Sequence, residues 1–293
     1  MSVAQAFAAD DPDAWTASPL RRAAVRFIGN RKGVAAVAAL AAIVAAVAFG
    51  PLIYTADPTR IDLVNTMAGS SPIHLLGTDE NGRDVLARLL VGGRVSILVG
   101  LAAMSVSITL GLLFGASAGY FGGWVDRLVV QLVDGCMAVP LFFLWLIVLS
   151  TWRPTPLTIV LVIGCTSWMT TARVVRSEIL KARELEFVEA ARSLGASRLR
   201  ILVRHCVPQA TSSIIVSATL AAAFAILSES ALSFLGIGIQ PPVPSWGNML
   251  TGAQEFLFVR PELAIYPGIA IVALVLSLNL LGDALRDILS PRG

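Results

Sequence analysis

The chain has 293 residues, of which 56% are hydrophobic and only 14% are charged, and its formal net charge is +3. Soluble domains carry about a quarter charged residues, and a mean hydropathy of +0.78 is too high for a soluble globular protein of this size. The composition therefore excludes that class and predicts an integral membrane protein. Three cysteines lie in or beside apolar runs without metal-ligand spacing, so we interpret them as small core residues.

Long apolar runs, taken in chain order, predict six transmembrane helices, since a helix needs about 20 predominantly apolar residues to cross a bilayer. The runs lack the alternation of apolar and polar residues that marks a transmembrane strand, so the predicted fold class is an all-α integral membrane protein. The runs occupy residues 34–56, 95–125, 128–152, 154–172, 207–236 and 263–282.

The distribution of basic residues predicts how these helices are oriented. Most of the 22 Lys and Arg residues fall in segments that a cytoplasmic N-terminus would place on the cytoplasmic side. Cytoplasmic loops of membrane proteins carry an excess of Lys and Arg. We therefore expect both termini, and the loop between the fourth and fifth helices, to be cytoplasmic.

These predictions divide the chain into consecutive parts. They are a cytoplasmic N-terminal arm (1–32), the first transmembrane helix (33–56), an extracytoplasmic segment (57–93) with an interfacial helix near 84–91, a five-helix core (94–285) with a cytoplasmic loop (174–208), and a cytoplasmic tail (286–293).

The cytoplasmic loop contains a compact charged segment with helical periodicity. Phe187, Ala191 and Leu194 recur at the spacing of one helix face, and Gly195 follows where a left-handed residue commonly ends a helix. A second helical pattern begins after this glycine. A basic segment of this kind could rest on anionic lipid, but short residues such as Ala190 favour a surface that another protein approaches closely.

Four groups of residues carry a resemblance to a known family. They are Glu189-Ala190-Ala191, Gly195 and Val207-Pro208 in the charged segment, Leu76-Gly77-Thr78-Asp79 with Gly82-Arg83-Asp84 ahead of the second helix, Ser245-Trp246-Gly247-Asn248 after the fifth, and Asn279-Leu280-Leu281-Gly282-Asp283 in the sixth. Together they resemble the permease subunits of binding-protein-dependent ABC importers of dipeptides and oligopeptides, specifically the subunit type with a short first periplasmic loop. His205 replaces the aliphatic residue of the general pattern, and His is usual there in the peptide branch.

The resemblance implies an ABC importer type I permease fold with a cytoplasmic coupling helix. The chain would form half of a heterodimeric translocation pathway with a second homologous permease subunit. Two ATP-binding subunits and an extracytoplasmic peptide-binding protein would complete the complex. Its mechanism would be alternating access, with di- or oligopeptides as substrates. The alternative is nickel or another small solute, which similar permeases transport.

The resemblance also assigns site residues. ATPase coupling would fall to Glu189, Ala190, Ala191, Gly195 and Pro208. Docking of the binding protein would involve Asp79, Arg83, Asp84 and Trp246.

The sequence offers no catalytic, nucleotide-binding or metal-binding constellation. A phosphate-binding loop requires Gly-Lys-Ser or Gly-Lys-Thr, whereas Lys32 precedes Gly33 and Lys181 precedes Ala182. We therefore expect no enzymatic activity and no cofactor in this chain, with ATP and Mg²⁺ bound by the partner ATPase subunits. We expect membrane lipid, but no nucleic acid, as a further partner.

Three polar residues within the predicted helices are candidates for lining the translocation pathway, namely Asp134, Glu229 and Asn279. A charge at the centre of the bilayer costs at least ~2.5 kcal/mol, so acids there are functional candidates. The two acids lie near helix ends, however, where headgroups or a neighbouring helix could also satisfy them. A secondary transporter would instead show deeply buried ionisable pairs or an inverted repeat, and the sequence shows no convincing example of either.

Overall fold

A computed structural model describes residues 27–289, and within this range the regular structure is helical apart from an isolated β-bridge between Thr78 and Asp84. Four of the described helices are individually long and apolar enough to cross a membrane, and two bent helix pairs raise the number of candidate spans to as many as six. The all-α prediction is confirmed. Most of the predicted N-terminal arm, and the last four residues of the predicted tail, lie outside the described range.

The described helices are defined as follows. In chain order they are α1 (Arg31–Ile53), α2 (Val85–Phe121), α3 (Gly123–Ala138), α4 (Leu141–Thr151), α5 (Pro156–Thr166), α6 (Trp168–Ala182), α7 (Glu186–Ser193), α8 (Arg198–Ile201), α9 (Val207–Gln209), α10 (Thr211–Phe234), α11 (Trp246–Ala253) and α12 (Glu262–Leu289). A π-helical turn (Leu202–Cys206) joins α8 to α9, and a 3₁₀ turn (Gln254–Phe256) follows α11.

Successive spans run in opposite directions, so the two ends of the bundle carry different segments. One end, which we call the loop end, carries residues 183–210. The other, which we call the opposite end, carries residues 54–84 and 235–261. Contacts within the opposite end join segments that are distant in sequence: the Arg260 guanidinium donates a hydrogen bond to the carbonyl oxygen of Met67.

The start of α2 differs from the prediction. The sequence predicted an interfacial helix near 84–91 followed by a separate span from 95, but the structure has one helix of 37 residues from Val85. The Asp84 carboxylate caps it by accepting a hydrogen bond from the Ala87 amide at 2.8 Å. Glycine weakens helices, but a β-carbon at Gly93 would lie 2.6 Å from the Trp246 ring. This glycine therefore allows close packing without interrupting the helix.

The second half of α2 packs against α6 through small residues. A β-carbon at Gly115 would lie 2.5 Å from the carbonyl oxygen of Ala172, and one at Gly119 would lie 2.8 Å from that of Arg176. Small residues let transmembrane helix backbones approach closely. This contact fixes α6, which leads into the charged loop, against the longest helix of the bundle.

Two candidate spans are bent helix pairs. The axes of α3 and α4 meet at 78°, and those of α5 and α6 at 40°. The first break falls at Pro140, whose ring cannot continue the helical hydrogen bonding. Hydrogen bonds link the pairs along their length, from Arg176 to Asp126 at 2.5 Å and from Trp145 to Thr166 at 2.7 Å. The two pairs therefore run antiparallel, as two neighbouring spans do.

Candidate functional site

The charged loop presents α7 as a two-turn helix with one fully buried side chain. Val188 lies in an apolar cluster that also contains Ile179 of α6 and Ile201 of α8. The rest of α7 faces outward: Glu189 and Ala190 are exposed, and Ala191 is partly buried. The buried side of the helix thus packs against α6, while the predicted Glu-Ala-Ala residues remain accessible from outside the chain.

The apolar face of α7 differs from the predicted one. The sequence grouped Phe187, Ala191 and Leu194, but the structure buries Val188 and leaves Phe187 43% and Leu194 88% exposed. The adjoining turn adds Leu199 at 65% and Val203 at 59% exposure. Helical spacing identifies a face but not which side of the helix packs on the bundle. These side chains form an exposed apolar surface, typical of a protein contact.

Gly195 ends α7 in the predicted left-handed conformation, with φ at +80°. The Gly195 amide donates to the carbonyl oxygen of Arg192, and the Ala196 amide donates to that of Ala191 at 3.1 Å. These are the two hydrogen bonds of a Schellman motif. A β-carbon at Gly195 would meet no atom within 4 Å, so backbone conformation, and not space, favours glycine here.

The chain returns to the membrane through a distorted helix that contains Pro208. Pro208 is exposed in α9, and the π-helical turn lies immediately before α9. Proline cannot donate a hydrogen bond to the preceding turn. Cys206 in the π turn is buried in the same cluster as Val188, and burial raises the pKa of its thiol. This thiol is therefore a packing group.

A groove of about 800 Å³ lies between α6 and α10, with the α3–α4 break and the end of α12 on its other sides. We call it the groove. Its walls carry seven hydroxyl groups, from Thr166, Ser167, Thr170, Thr171, Ser212, Ser213 and Ser217. Apolar residues such as Val216, Leu220 and Phe224 complete the lining. Ser212 lies in the first turn of α10, so the groove begins near the loop end and extends into the bundle.

None of the three predicted pathway residues lines this groove. Asp134 forms an ion pair with Arg173 at 2.6 Å, and both side chains are more than half exposed. Asn279 is partly buried in α12. The prediction relied on charge and amide groups within spans. The groove is instead lined by serine and threonine spaced along α6 and α10, which sequence reasoning did not single out.

Glu229 is fully buried and supports the turn that follows α10. Its carboxylate accepts a hydrogen bond from the Ser233 hydroxyl at 2.7 Å, and the Ser233 oxygen accepts one from the Ile239 amide at 2.9 Å. This chain of hydrogen bonds joins the end of α10 to the loop that leads to α11. The acid therefore positions backbone at the opposite end, away from the groove.

The four predicted docking side chains are interior, which corrects their assignment to a surface. Asp79 is 6% and Arg83 9% exposed. The Asp79 carboxylate bonds both Arg83, at 2.7 Å, and Arg88, at 2.6 Å. Buried charges are normally paired in this way because desolvation of an isolated charge is costly. The sequence of this segment, with its closely spaced charged residues, could not distinguish an internal network from an exposed charged turn.

Asp84 and Trp246 are likewise structural. Asp84 accepts a hydrogen bond from the Tyr54 hydroxyl at 2.6 Å and contacts His74 Nδ1 at 2.8 Å. Burial, with the hydrogen bond to Asp84, raises the pKa of Tyr54 to about 12. Trp246 is 1% exposed, and its indole N–H donates to the carbonyl oxygen of Leu89 at 2.8 Å. These contacts hold the segments of the opposite end together.

Comparison with known proteins decides the family. Residues 111–292 match the family described as the binding-protein-dependent transport system inner membrane component. The match includes the second half of α2, both bent pairs, the charged loop and α12. The chain belongs to this family. This permease is therefore a multi-pass inner membrane protein that works with ATP-hydrolysing and substrate-binding partners.

The permease is also similar to relatives over nearly its whole length. It is 39% identical over 276 residues to a Brucella suis protein named as a peptide permease, covering 94% of this chain and 91% of the relative. It is 34% identical over 281 residues to the dipeptide transport system permease protein DppC of Alkalihalophilus pseudofirmus, covering 96% and 92%. It is 35% identical over 269 residues to the oligopeptide transport system permease protein OppC of Haemophilus influenzae, covering 91% and 86%.

Proposed function

We propose that the permease is one of two homologous permease subunits of an ATP-driven peptide importer. The relatives described above are named for peptides, dipeptides and oligopeptides, whereas none of those three names supports the nickel alternative. In this proposal the groove is this subunit's half of the translocation pathway. The second permease subunit covers it, and two ATP-binding subunits supply the nucleotide and Mg²⁺ chemistry.

The proposed orientation places the loop end and both termini in the cytoplasm. Exposed basic side chains concentrate at that end, with Arg192, Arg198, Arg200 and Arg204 all exposed in the charged loop. Cytoplasmic loops are enriched in such residues. The opposite end then faces the binding protein. Asp79, Arg83, Asp84 and Trp246 shape that end from within, and exposed residues around them make the contact.

The observation that carries the proposal is the attachment of α7. Its exposed side bears Phe187, Glu189 and Ala190, while its buried side, through Val188, belongs to the cluster that contains Ile179 of α6. A force applied to the exposed side therefore passes directly to α6, which packs closely on α2. We propose that Glu189, Ala190 and Ala191 contact the ATPase, and that Gly195 and Pro208 shape the loop around that contact.

The mechanism we propose is alternating access. ATP binding draws the two ATPase subunits together and displaces α7. Because α6 moves with α7 and α10 follows the charged loop, the two helices that wall the groove change their separation. The groove closes toward the cytoplasm as the bundle opens to the peptide-loaded binding protein. ATP hydrolysis then restores the groove and releases the peptide inward.

The decisive experiment measures peptide-stimulated ATP hydrolysis by the reconstituted complex. It compares the wild type with the Glu189→Arg and Gly195→Pro variants. Glu189→Arg reverses an exposed charge, and Gly195→Pro imposes a φ near −65° where φ is +80°. We expect both to reduce stimulated hydrolysis at least about tenfold, equivalent to about 1.4 kcal/mol of coupling. Copurification of the ATPase subunits is measured in parallel.

Lys181→Glu is the matched control, because Lys181 is 71% exposed near the same end but lies on α6. It should retain stimulated hydrolysis. Wild-type transport driven by an ion gradient, without any copurifying ATPase, would contradict the proposed function. Full activity of both loop variants would contradict the role of α7 alone.

A further inference from the structure

One side chain distinguishes itself among those that line the groove. Arg286, in the last turn of α12, is the single charged residue of the lining, which contains no Asp or Glu. Its neighbours Asp283 and Asp287 on the same helix are exposed and do not line the groove. Within residues 27–289, Arg286 forms no ion pair within 4.0 Å. The groove therefore has a positive charge at the loop end.

The remaining polar groups of the groove are suited to an uncharged peptide main chain. The Thr166 hydroxyl is already engaged, since it accepts a hydrogen bond from the Trp145 indole N–H and donates one to the carbonyl oxygen of Val162. A hydroxyl both donates and accepts a hydrogen bond, so the remaining hydroxyls can pair with amide N–H and C=O groups whatever the peptide side chains are. Thr170 is exposed, and Ser212, Ser213 and Ser217 are partly buried. The hydroxyl groups of these four residues are therefore the ones that a ligand in the groove can reach.

The length of the groove fits a short peptide. From Ser212 to Phe224, α10 contributes about 18 Å of helix at 1.5 Å per residue. An extended chain advances about 3.3–3.6 Å per residue, so the groove accommodates about five residues. Phe224 marks its inner limit and contacts Trp145, with ring centroids 6.1 Å apart. Arg286 lies near the other limit, where the peptide would have one of its termini.

We propose that Arg286 binds the C-terminal carboxylate of the peptide while the hydroxyl-bearing walls bind its main chain. This inference rests on the proposed function of the groove. A guanidinium matches a carboxylate with two parallel hydrogen bonds, and an ammonium terminus would be repelled. The peptide thus lies with its carboxylate toward the cytoplasm. Specificity in this subunit is for a free C-terminus and not for particular side chains.

The experiment measures ATP-dependent uptake into proteoliposomes of trialanine and of trialanine amide. The full complex and its binding protein are used, and titration of the binding protein by intrinsic fluorescence sets each peptide at the same saturation. The variants are Arg286→Gln and Arg286→Lys. We expect Arg286→Gln to lower uptake of the free acid about two- to fivefold relative to the amide, the size of a solvent-exposed ion pair. Arg286→Lys should lose less of this preference.

Arg127→Gln is the matched control, because Arg127 is exposed at the same end of the bundle but does not line the groove. It should leave the ratio of acid to amide uptake unchanged. Equal loss of both substrates in Arg286→Gln overturns the proposal and leaves Arg286 a topological charge only. If Arg286→Gln does not assemble, Arg286→Met, which keeps a long unbranched side chain but removes the charge, decides, and an unaltered ratio in it overturns the proposal. Absence of ATP-dependent uptake in wild type instead contradicts the proposed function itself.

Discussion

At the residue scale, Glu229 shows how an acid within a transmembrane helix can serve packing. Its side chain is fully buried. Its carboxylate accepts a hydrogen bond from the Ser233 hydroxyl, and the Ser233 oxygen in turn accepts one from the Ile239 amide. Removal of one member leaves the others unsatisfied. The cost of an unsatisfied buried polar group is larger than the net gain from making its hydrogen bond, so such a chain of bonds is sensitive to single changes.

We therefore predict that Glu229→Ala destabilises the permease by about 1–3 kcal/mol, whereas Glu229→Gln, which keeps an acceptor oxygen at the same place, costs less. Thermal unfolding of the purified complex in detergent, followed by loss of the monodisperse peak, measures both. Ser150→Ala is a suitable control, because Ser150 is exposed and its hydroxyl bonds only to the Ile147 carbonyl. Equal unfolding temperatures for all three variants would show that the bond chain contributes nothing.

At the element scale, the contact between α2 and α6 depends on glycine in the second half of α2. In the proposed mechanism α6 transmits the motion of the charged loop. Its packing against α2 therefore affects both the stability of the permease and its coupling to the ATPase. The same helices are joined further along by the hydrogen bond from Arg183 to the carbonyl oxygen of Gly119, at 3.1 Å. Carbonyl oxygens of Ala172 and Arg176 face Gly115 and Gly119 directly, and backbone cannot move aside for a larger residue.

Gly115→Ala should disrupt this contact, because the added β-carbon would lie 2.5 Å from the Ala172 carbonyl oxygen. Overpacking of this kind costs about 1–3 kcal/mol. Gly135→Ala on α3 is the matched change, since a β-carbon there meets no atom within 4 Å, and it should be neutral or stabilising by up to about 1 kcal/mol. Unfolding temperatures that fall equally, or not at all, in the two variants would contradict the packing argument.

At the scale of the whole molecule, the proposed orientation makes a prediction about access from each side. Phe258 is fully exposed at the opposite end, and Leu194 is 88% exposed at the loop end. In a cysteine-free background, Phe258→Cys should react with a membrane-impermeant maleimide in right-side-out vesicles, and Leu194→Cys only in inside-out vesicles. The vesicles carry the permease without its ATP-binding subunits, which would cover Leu194. Both sites are then exposed, so a difference in labelling reports sidedness and not burial. The reverse pattern would invert the topology.

Sequence reasoning was most successful where one local rule determined the outcome. Apolar length was enough to find the spans, and the special backbone freedom of glycine located Gly195 at the end of α7. It was less successful where tertiary packing decided. Gly93 lies within α2, where the absence of a β-carbon lets the Trp246 ring pack closely. Asp79 is interior, where Arg83 and Arg88 pair with it. Neither contact can be recognised from the amino-acid sequence of a single segment.

The groove escaped prediction for a related reason. Charge is rare in a membrane span and attracts attention, whereas serine and threonine are common in spans and bond readily to their own helix. Only the relative rotation of α6 and α10 brings Thr170 and Ser213 to one cavity, and rotation is set by the packing of both helices on α2. Sequence periodicity gives the face of each helix, but not which faces meet.

The 78° break between α3 and α4 has a consequence for hydration. It falls between Ala138 and Leu141, in the middle of the candidate span that α3 and α4 form together. Irregular backbone is tolerated at that depth only where protein buries it or water reaches it. Met137, Val139 and Pro140 line the groove, so we expect water to enter there. The isolated subunit would then make the membrane more permeable to ions. The second permease subunit would be required to block this leak.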